Sequence, residues 1–533
     1  MKSTELKIPI KSINVAIDDL GRASQLYSAN ILGLFPHTGK SHHMVFEPLL
    51  HKLAERGHNV TVASFYPSKN PPPNYHDISL RGMYELRLES FDLNIFEAPS
   101  ILDRIPKLGK MMKQVLQLQP FAVASVKICE KLINFSPLIN VLRDDYDAVI
   151  LENFTSDCML GLLYAYGITA PVISILSGTP MPWTVERVGA TDNPSYVPTI
   201  TAPLSSRMSL TDRLENTLVN FALKKWFYNE IQTKERAIIE KKFGRIPDLV
   251  DLGKNVSLVL TNSYYTLTGV KPLVPALVEV GGLHLDFQKQ PIPKFIEKFL
   301  NESNDGVILF SFGSHIKTKT LPKYKEEIFS NALSKLKQRV IWKYEDSGEE
   351  GNLSGNILKV KWLPQYELLQ HEKVIAFLCH GGMLGMIEAT AAGKPMIVVP
   401  FFGDQPSNAA AAAEAEVGIV LSYQDLTEDV LSEALETVIS DKMRAHARKM
   451  SKIWHDRETA PMDKAVFWTE HVMRWGNSAH LHSSARELTF TQLSLLDVAS
   501  IIIVITIIII IVAFYFIVKI LQIFKNITKE KLL

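Results

Sequence analysis

The chain has little that marks a nucleic-acid binder, a disulfide scaffold or a secreted leader. Lysine and arginine number 57 against 56 aspartates and glutamates, a net charge of +1. No basic stripe interleaved with aromatics stands out, so binding to nucleic acid is not expected. Three cysteines, Cys129, Cys158 and Cys379, are too few for a disulfide framework and leave room for one pair at most. Neither they nor the histidines fall at zinc-ligand spacing, so no metal is expected. The segment up to Ser28 carries Lys2, Lys7, Lys11, Asp18, Asp19 and Arg22 and has no apolar run long enough for a signal-peptide core. Residues 1–29 therefore read as an atypical leader without a clear signal peptide.

One long hydrophobic run is present. Residues 498–518 are uncharged and mostly Ile and Val, the length of helix that crosses a bilayer, and apolar all round where a core helix has a polar face. Lys519, Lys525, Lys529 and Lys531 follow against Glu530 alone, which places the basic tail 519–533 in the cytosol and the large domain in the lumen. The ending 529–533 resembles a dilysine retrieval signal and points to the endoplasmic reticulum membrane. Sequons at Asn301 and Asn352 lie in polar loops, whereas the one at Asn59 falls in a strand expected to be buried.

Ahead of the anchor, 533 residues at 47% hydrophobic content suffice for two domains. Buried-strand patterns at 31–35, 60–65, 147–151 and 172–176 alternate with helical ones at 42–56, 102–141 and 209–242. A proline-punctuated linker, 284–305, precedes a second series at 307–310, 339–344, 357–360, 374–378 and 396–400. The expected class is α/β, two doubly wound parallel sheets facing across a cleft.

The stretch 377–405, FLCHGGMLGMIEATAAGKPMIVVPFFGDQ, concentrates the chemistry. His380-Gly381-Gly382 turns a strand into a helix, and glycines there let exposed N–H groups and the positive helix end meet an anion such as a diphosphate. Glu388 lies on the same side of that helix, where its carboxylate can accept from a vicinal diol such as ribose. Asp404 and Gln405, just past the next strand, offer acceptors and donors for a sugar's hydroxyls.

Together with Trp362-Leu363-Pro364-Gln365, Ser311-Phe312-Gly313-Ser314 and Asn193-Pro194-Ser195-Tyr196, this pattern resembles the family 1 UDP-glycosyltransferases, most closely the insect glucosyltransferases, from about residue 30 onward. The resemblance implies the GT-B fold: an acceptor-binding domain at 30–283, a UDP-sugar domain at 306–476 whose last helix, 462–475, crosses back over the first domain, and a juxtamembrane segment at 477–497. It implies uracil stacking for Trp362, beside Gln365, and a phosphate contact for Ser314. The UDP-sugar is a co-substrate, no cofactor is expected, and oligomeric state is left open, a homo-oligomer included.

Transfer to a hydroxyl needs a base. His37, His42 and His43 cluster beyond the first strand, and His42 corresponds to the family's catalytic histidine. A helix start disfavours imidazolium, which suits a neutral base. Its orienting carboxylate is Glu152 at a strand end, where many relatives have Asp, or else Asp157. Asp145-Tyr146-Asp147 looks like a metal-binding DxD but precedes its strand. The implied reaction is inverting, metal-independent transfer of a hexose, most simply glucose, to small lipophilic acceptors. Alternatives are a dedicated lipid or hormone glycosyltransferase and a membrane-anchored sugar-nucleotide-binding protein that has lost catalysis. Glu152, Cys379 in place of Thr or Ser, and Leu384 where some relatives have a phosphate-contacting Asn are the departures that keep the last in view.

Overall fold

The computed structural model describes residues 28–84, 91–97, 100–287, 289–476 and 479–530. Residues 1–27 of the leader and 531–533 of the tail lie outside them. The chain divides into two units, Met1–His482 and Ser483–Leu533.

Among the described residues, the first unit holds two seven-stranded sheets. The first contains β1 (Asn30–Phe35), β2 (Asn59–Ser64), β3 (Tyr75–Ser79), β4 (Ala148–Glu152), β5 (Val172–Leu176), β6 (Val256–Thr261) and β7 (Leu277–Glu279). Their spatial order is β3-β2-β1-β4-β5-β6-β7, every pair parallel. The second contains β8 (Val307–Ser311), β9 (Arg339–Lys343), β10 (Asn352–Ser354), β11 (Ile357–Val360), β12 (Val374–Cys379), β13 (Met396–Val398) and β14 (Gly418–Val420), ordered β10-β11-β9-β8-β12-β13-β14. Only the edge pair β10–β11 is antiparallel.

Both sheets are covered on both faces, which is why their strands read as continuous apolar runs. Leu32, Leu34, Val149 and Leu151 join one core, while their alternates Ile31, Phe35, Ala148 and Ile150 join another. In the second sheet Val307, Leu309 and Phe377 face one way and Ile308, Phe310, Ala376 and Leu378 the other. Chain direction across the sheet reverses between β1 and β4 in the first and between β8 and β12 in the second. Such reversals open a crevice at the carboxyl ends of the strands.

Three local findings differ from the sequence reading. The segment 284–305 is not all linker: it carries helix Lys294–Asn301, whose Ile296, Phe299 and Leu300 are buried in the second domain's core. The flanking prolines hide that helical spacing. Asn59 is exposed, because it opens its strand and bonds Asn30 rather than pointing into the core. The helical region 102–141 resolves into helices Pro106–Leu116, Gln119–Leu132 and Ser136–Val141.

Helix Pro461–Trp475 lies on the first domain: Ala465, Val466 and Val472 enter the core beside β1, and Glu470 bonds Arg56 and His58. Cys129, on helix Gln119–Leu132, is disulfide-bonded to Cys158 at the start of helix Cys158–Ala165, and Cys379 is a buried free thiol. The second unit contains helix Leu496–Glu530, of which Leu496–Thr528 is long and apolar enough to cross a membrane.

Candidate active site

The two switch points carry the candidate residues. At the first, β1 ends and His37 and Gly39 lead into helix Lys40–Glu55, so His42 falls in its first turn. Glu152 is the last residue of the neighbouring strand β4. His42 Nδ1 is hydrogen-bonded to Glu152 Oε1. Burial pushes the Glu152 carboxyl up to about 7 and His42 down to about 4. The working form is therefore a neutral imidazole whose Nδ1–H donates to the carboxylate, leaving the Nε2 lone pair free.

His37 stacks on His42 with ring centroids 4.3 Å apart and planes 20° from parallel. Its Nδ1 accepts the Gly39 N–H at 2.9 Å. A Cβ on Gly39 would lie 2.8 Å from the His37 ring and 3.2 Å from His42, so only glycine permits this packing. Phe154 presents its ring to both imidazoles, at 4.9 and 5.3 Å. His43 is buried against Phe35 and Tyr66, with neither ring nitrogen bonded.

Asp157, the other candidate partner, is engaged elsewhere. Its carboxylate accepts from Arg187 Nη2 at 2.6 Å, Gln232 Nε2 at 2.8 Å and Asn153 Nδ2 at 3.1 Å. The structure thus brings Glu152, and not Asp157, onto His42 and ties Asp157 into the fold.

At the second switch point, the turns after β8 and β12 interlock. Gly313 has φ 75°, and a Cβ there would come 2.7 Å from His380 Cε1. One on Gly382 would come 2.5 Å from His380 Nε2. Two glycines therefore clasp the His380 imidazole, which burial pushes down to about 3 and keeps neutral. Gly381 has φ 84°, and its carbonyl accepts from Asn408 Nδ2 at 2.9 Å. Helix Met383–Ala391 then begins at Gly382 with no side-chain cap on its N–H groups, the arrangement that attracts an anion. Ser314 is exposed at the same edge. Cys379 is inert: burial pushes its thiol up to about 12.

Trp362 follows β11 with 56% of its surface exposed. Gln365 Nε2 donates to Glu388 Oε2 at 2.6 Å, orienting a carboxyl that burial pushes up to about 7. His284 Nε2 lies 3.6 Å from Glu388 Oε1. Asp404 Oδ2 accepts from Asn408 Nδ2 at 2.7 Å, and a Cβ on Gly178 of the first domain would sit 3.8 Å from that oxygen, so the two domains meet there. Gln405 is buried, and its Oε1 accepts the N–H groups of Phe401 and Phe402 at 2.9 and 3.3 Å, which shapes the turn carrying Asp404. Leu384 packs on the first domain's core.

Sequence reasoning missed His315, Asn408 and Gly178. Burial, and after it the neighbouring His42, Lys317 and Lys343, holds His315 below its usual range. Its position directly after Ser311-Phe312-Gly313-Ser314 was the available signal.

The ligand atoms of His37, His42 and Glu152 lie within 4.8 Å of one another, the spacing of a metal cluster. The geometry does not suit an ion: stacked rings direct their lone pairs along parallel planes, and two imidazoles so placed cannot converge on one cation without turning.

The family described as UDP-glucoronosyl and UDP-glucosyl transferase matches residues 32–531. The chain is 35% identical to UDP-glucosyltransferase 2 of Dactylopius coccus, over 89% of this chain and 90% of that one. It is 31% identical to UDP-glucuronosyltransferase 2B19 of Macaca fascicularis, over 86% and 87%. Among solved structures, a UDP-glucosyltransferase from Polygonum tinctorium superimposes with a TM-score of 0.55 at 15% identity, over 84% of this chain and 99% of that one. Arabidopsis thaliana UGT89C1, complexed with UDP-L-rhamnose, gives 0.54 at 17%, over 84% and 100%. These structural likenesses establish the GT-B fold.

Proposed function

The chain belongs to the UDP-glycosyltransferase family, and from that membership we propose that it transfers glucose from UDP-glucose to a hydroxyl of small lipophilic acceptors, inverting the anomeric carbon. The observation that carries this reading is the His42–Glu152 pair at one switch point, with a glycine-clasped anion site at the other. His42 Nε2 takes the acceptor's proton while Glu152 steadies the imidazolium through Nδ1–H. The acceptor oxygen bonds to the anomeric carbon as the bond to the UDP oxygen breaks. The departing charge is met by the N–H groups at Gly382, by His380 and by Ser314.

In this reading uracil stacks on Trp362, the ribose diol bonds Glu388 as oriented by Gln365, and Asp404 and Gln405 take the sugar's hydroxyls. Glucose is favoured by the likeness to UDP-glucosyltransferase 2 of Dactylopius coccus. No cofactor beyond the UDP-sugar enters the scheme. The Cys129–Cys158 disulfide supports an oxidising compartment, hence a lumenal folded unit with the C-terminal helix as a single-pass anchor in the endoplasmic reticulum and a cytosolic basic tail. Lipophilic acceptors in that setting are consistent with detoxification.

Microsomes carrying the full chain, incubated with a phenol panel and either UDP-glucose or UDP-glucuronate, test the reading. We expect transfer from UDP-glucose alone. Transfer from UDP-glucuronate would refute the choice of sugar, and binding of UDP-sugar without transfer from either donor would refute catalysis.

A further inference from the structure

A buried histidine stands between the two domains with no close hydrogen bond to hold it. His284 follows Gly281-Gly282 on the segment that leaves β7, and this segment is pinned from both sides. Asn262 Oδ1, just beyond β6, accepts the Gly282 N–H at 2.9 Å. Arg457 Nη1, just beyond the second domain's helix Asp441–His455, donates to the Gly281 carbonyl at 2.8 Å. The His284 ring is thereby directed to the start of helix Met383–Ala391, where it faces the Leu384 backbone, and Glu388 Oε1 lies 3.6 Å from Nε2. Neither ring nitrogen makes a close hydrogen bond among the described residues. Burial pushes the imidazole down to about 4, so the ring is neutral and carries one N–H. Burying an unbonded polar group is costly, and the mechanism above gives this one no role.

We propose that His284 is a positioning residue for the donor's ribose: with nucleotide bound, its Nε2–H donates to Glu388 Oε1 and leaves the carboxylate shaped for a vicinal diol. An ionised carboxylate offers about four lone-pair sites, two on each oxygen. Gln365 Nε2 fills one on Oε2 at 2.6 Å, and His284 fills one on Oε1. One site then remains on each oxygen. Two adjacent hydroxyls, each donating an O–H, fill both, whereas a nucleotide without them leaves a buried carboxylate short of partners. A site built in this way rejects the analogue that lacks the hydroxyl, because its own polar groups stay unpaired. The two protein donors come from different places, Gln365 from the second domain and His284 from the segment between the domains, so Glu388 is held from both sides only when that segment is seated. The inference rests on the reading of Glu388 as the ribose's partner and adds the residue that makes the contact selective for a ribonucleotide.

Calorimetry on the detergent-solubilised full chain tests this by comparing UDP with 2′,3′-dideoxy-UDP, for the native protein and for His284→Phe. His284→Leu takes the place of His284→Phe if thermal melting shows that the latter does not fold. The native protein is expected to bind UDP more tightly than the dideoxy nucleotide. In the variant, affinity for UDP is expected to fall about 10- to 100-fold, the worth of a hydrogen bond to a charged group, while affinity for the dideoxy nucleotide stays the same. A residue that merely supported the fold would weaken both nucleotides alike, and that result would overturn the proposal. So would a preference for UDP that survives in the variant, which would leave the assignment of Glu388 standing. Equal binding of the two nucleotides by the native protein would instead overturn the reading of Glu388 itself, and the proposal with it.

Discussion

Burial acts in opposite senses on the two members of the candidate base. It holds His42 down to about 4 and raises Glu152 to about 7, so the titration that matters near neutrality is that of the carboxyl. Above about 7 the Glu152 carboxylate accepts Nδ1–H and His42 presents a free lone pair at Nε2. Below it the carboxyl holds a proton and donates to Nδ1, Nε2 carries the hydrogen, and the imidazole cannot accept one from the substrate. We therefore expect kcat/KM to rise with pH through about 7 in a single step. Glu152→Gln should lower kcat roughly 100- to 10,000-fold and abolish that step. A limb that survives unchanged in Glu152→Gln would assign it to another group. At this scale the sequence was partly legible. His42 could be picked by its place at a helix start, but choosing between Glu152 and Asp157 needed the ring of partners formed by Arg187, Gln232 and Asn153, which come from remote parts of the chain.

Among the elements, the turns at the strand ends are where the proposed donor's diphosphate would approach. Gly382 is the tightest: any side chain there meets the His380 ring at 2.5 Å, and relieving such overlap typically costs about 1–3 kcal/mol. Gly382→Ala should therefore weaken UDP binding about tenfold or more by calorimetry, and an unchanged Kd would show that the turn does not approach the phosphates. Strands and this turn were readable because parallel strands buried on both faces are apolar throughout and because His380-Gly381-Gly382 punctuates a strand-to-helix junction within a wider pattern that includes Glu388, Asp404 and Gln405. Helix Lys294–Asn301 was not, since Pro291 and Pro293 suggested a linker while its apolar positions, Ile296, Phe299 and Leu300, span barely two turns. The short outer strands β7, β10 and β14 are three residues each, too brief for a period to register.

For the molecule as a whole, the proposed mechanism requires both domains at once. The candidate base His42 and its partner Glu152 belong to the first sheet and the proposed anion turn to the second. The halves are tied by Gln117 accepting from Gly403 N at 3.0 Å, by Glu414 accepting from Ser206 N at 2.9 Å and by helix Pro461–Trp475 returning to bond Arg56. None of these long-range ties can be read from local pattern, although the two-sheet architecture that makes them necessary could be. The central claim is that the first domain supplies the base and the second holds the donor, so the two roles should separate by mutation. Single-turnover transfer from UDP-glucose, measured for the native full chain and for His42→Ala with donor affinity determined in parallel, tests this most directly. The account predicts an unchanged donor Kd and a transfer rate lowered roughly 100-fold or more. An equal rate in the two proteins would contradict it.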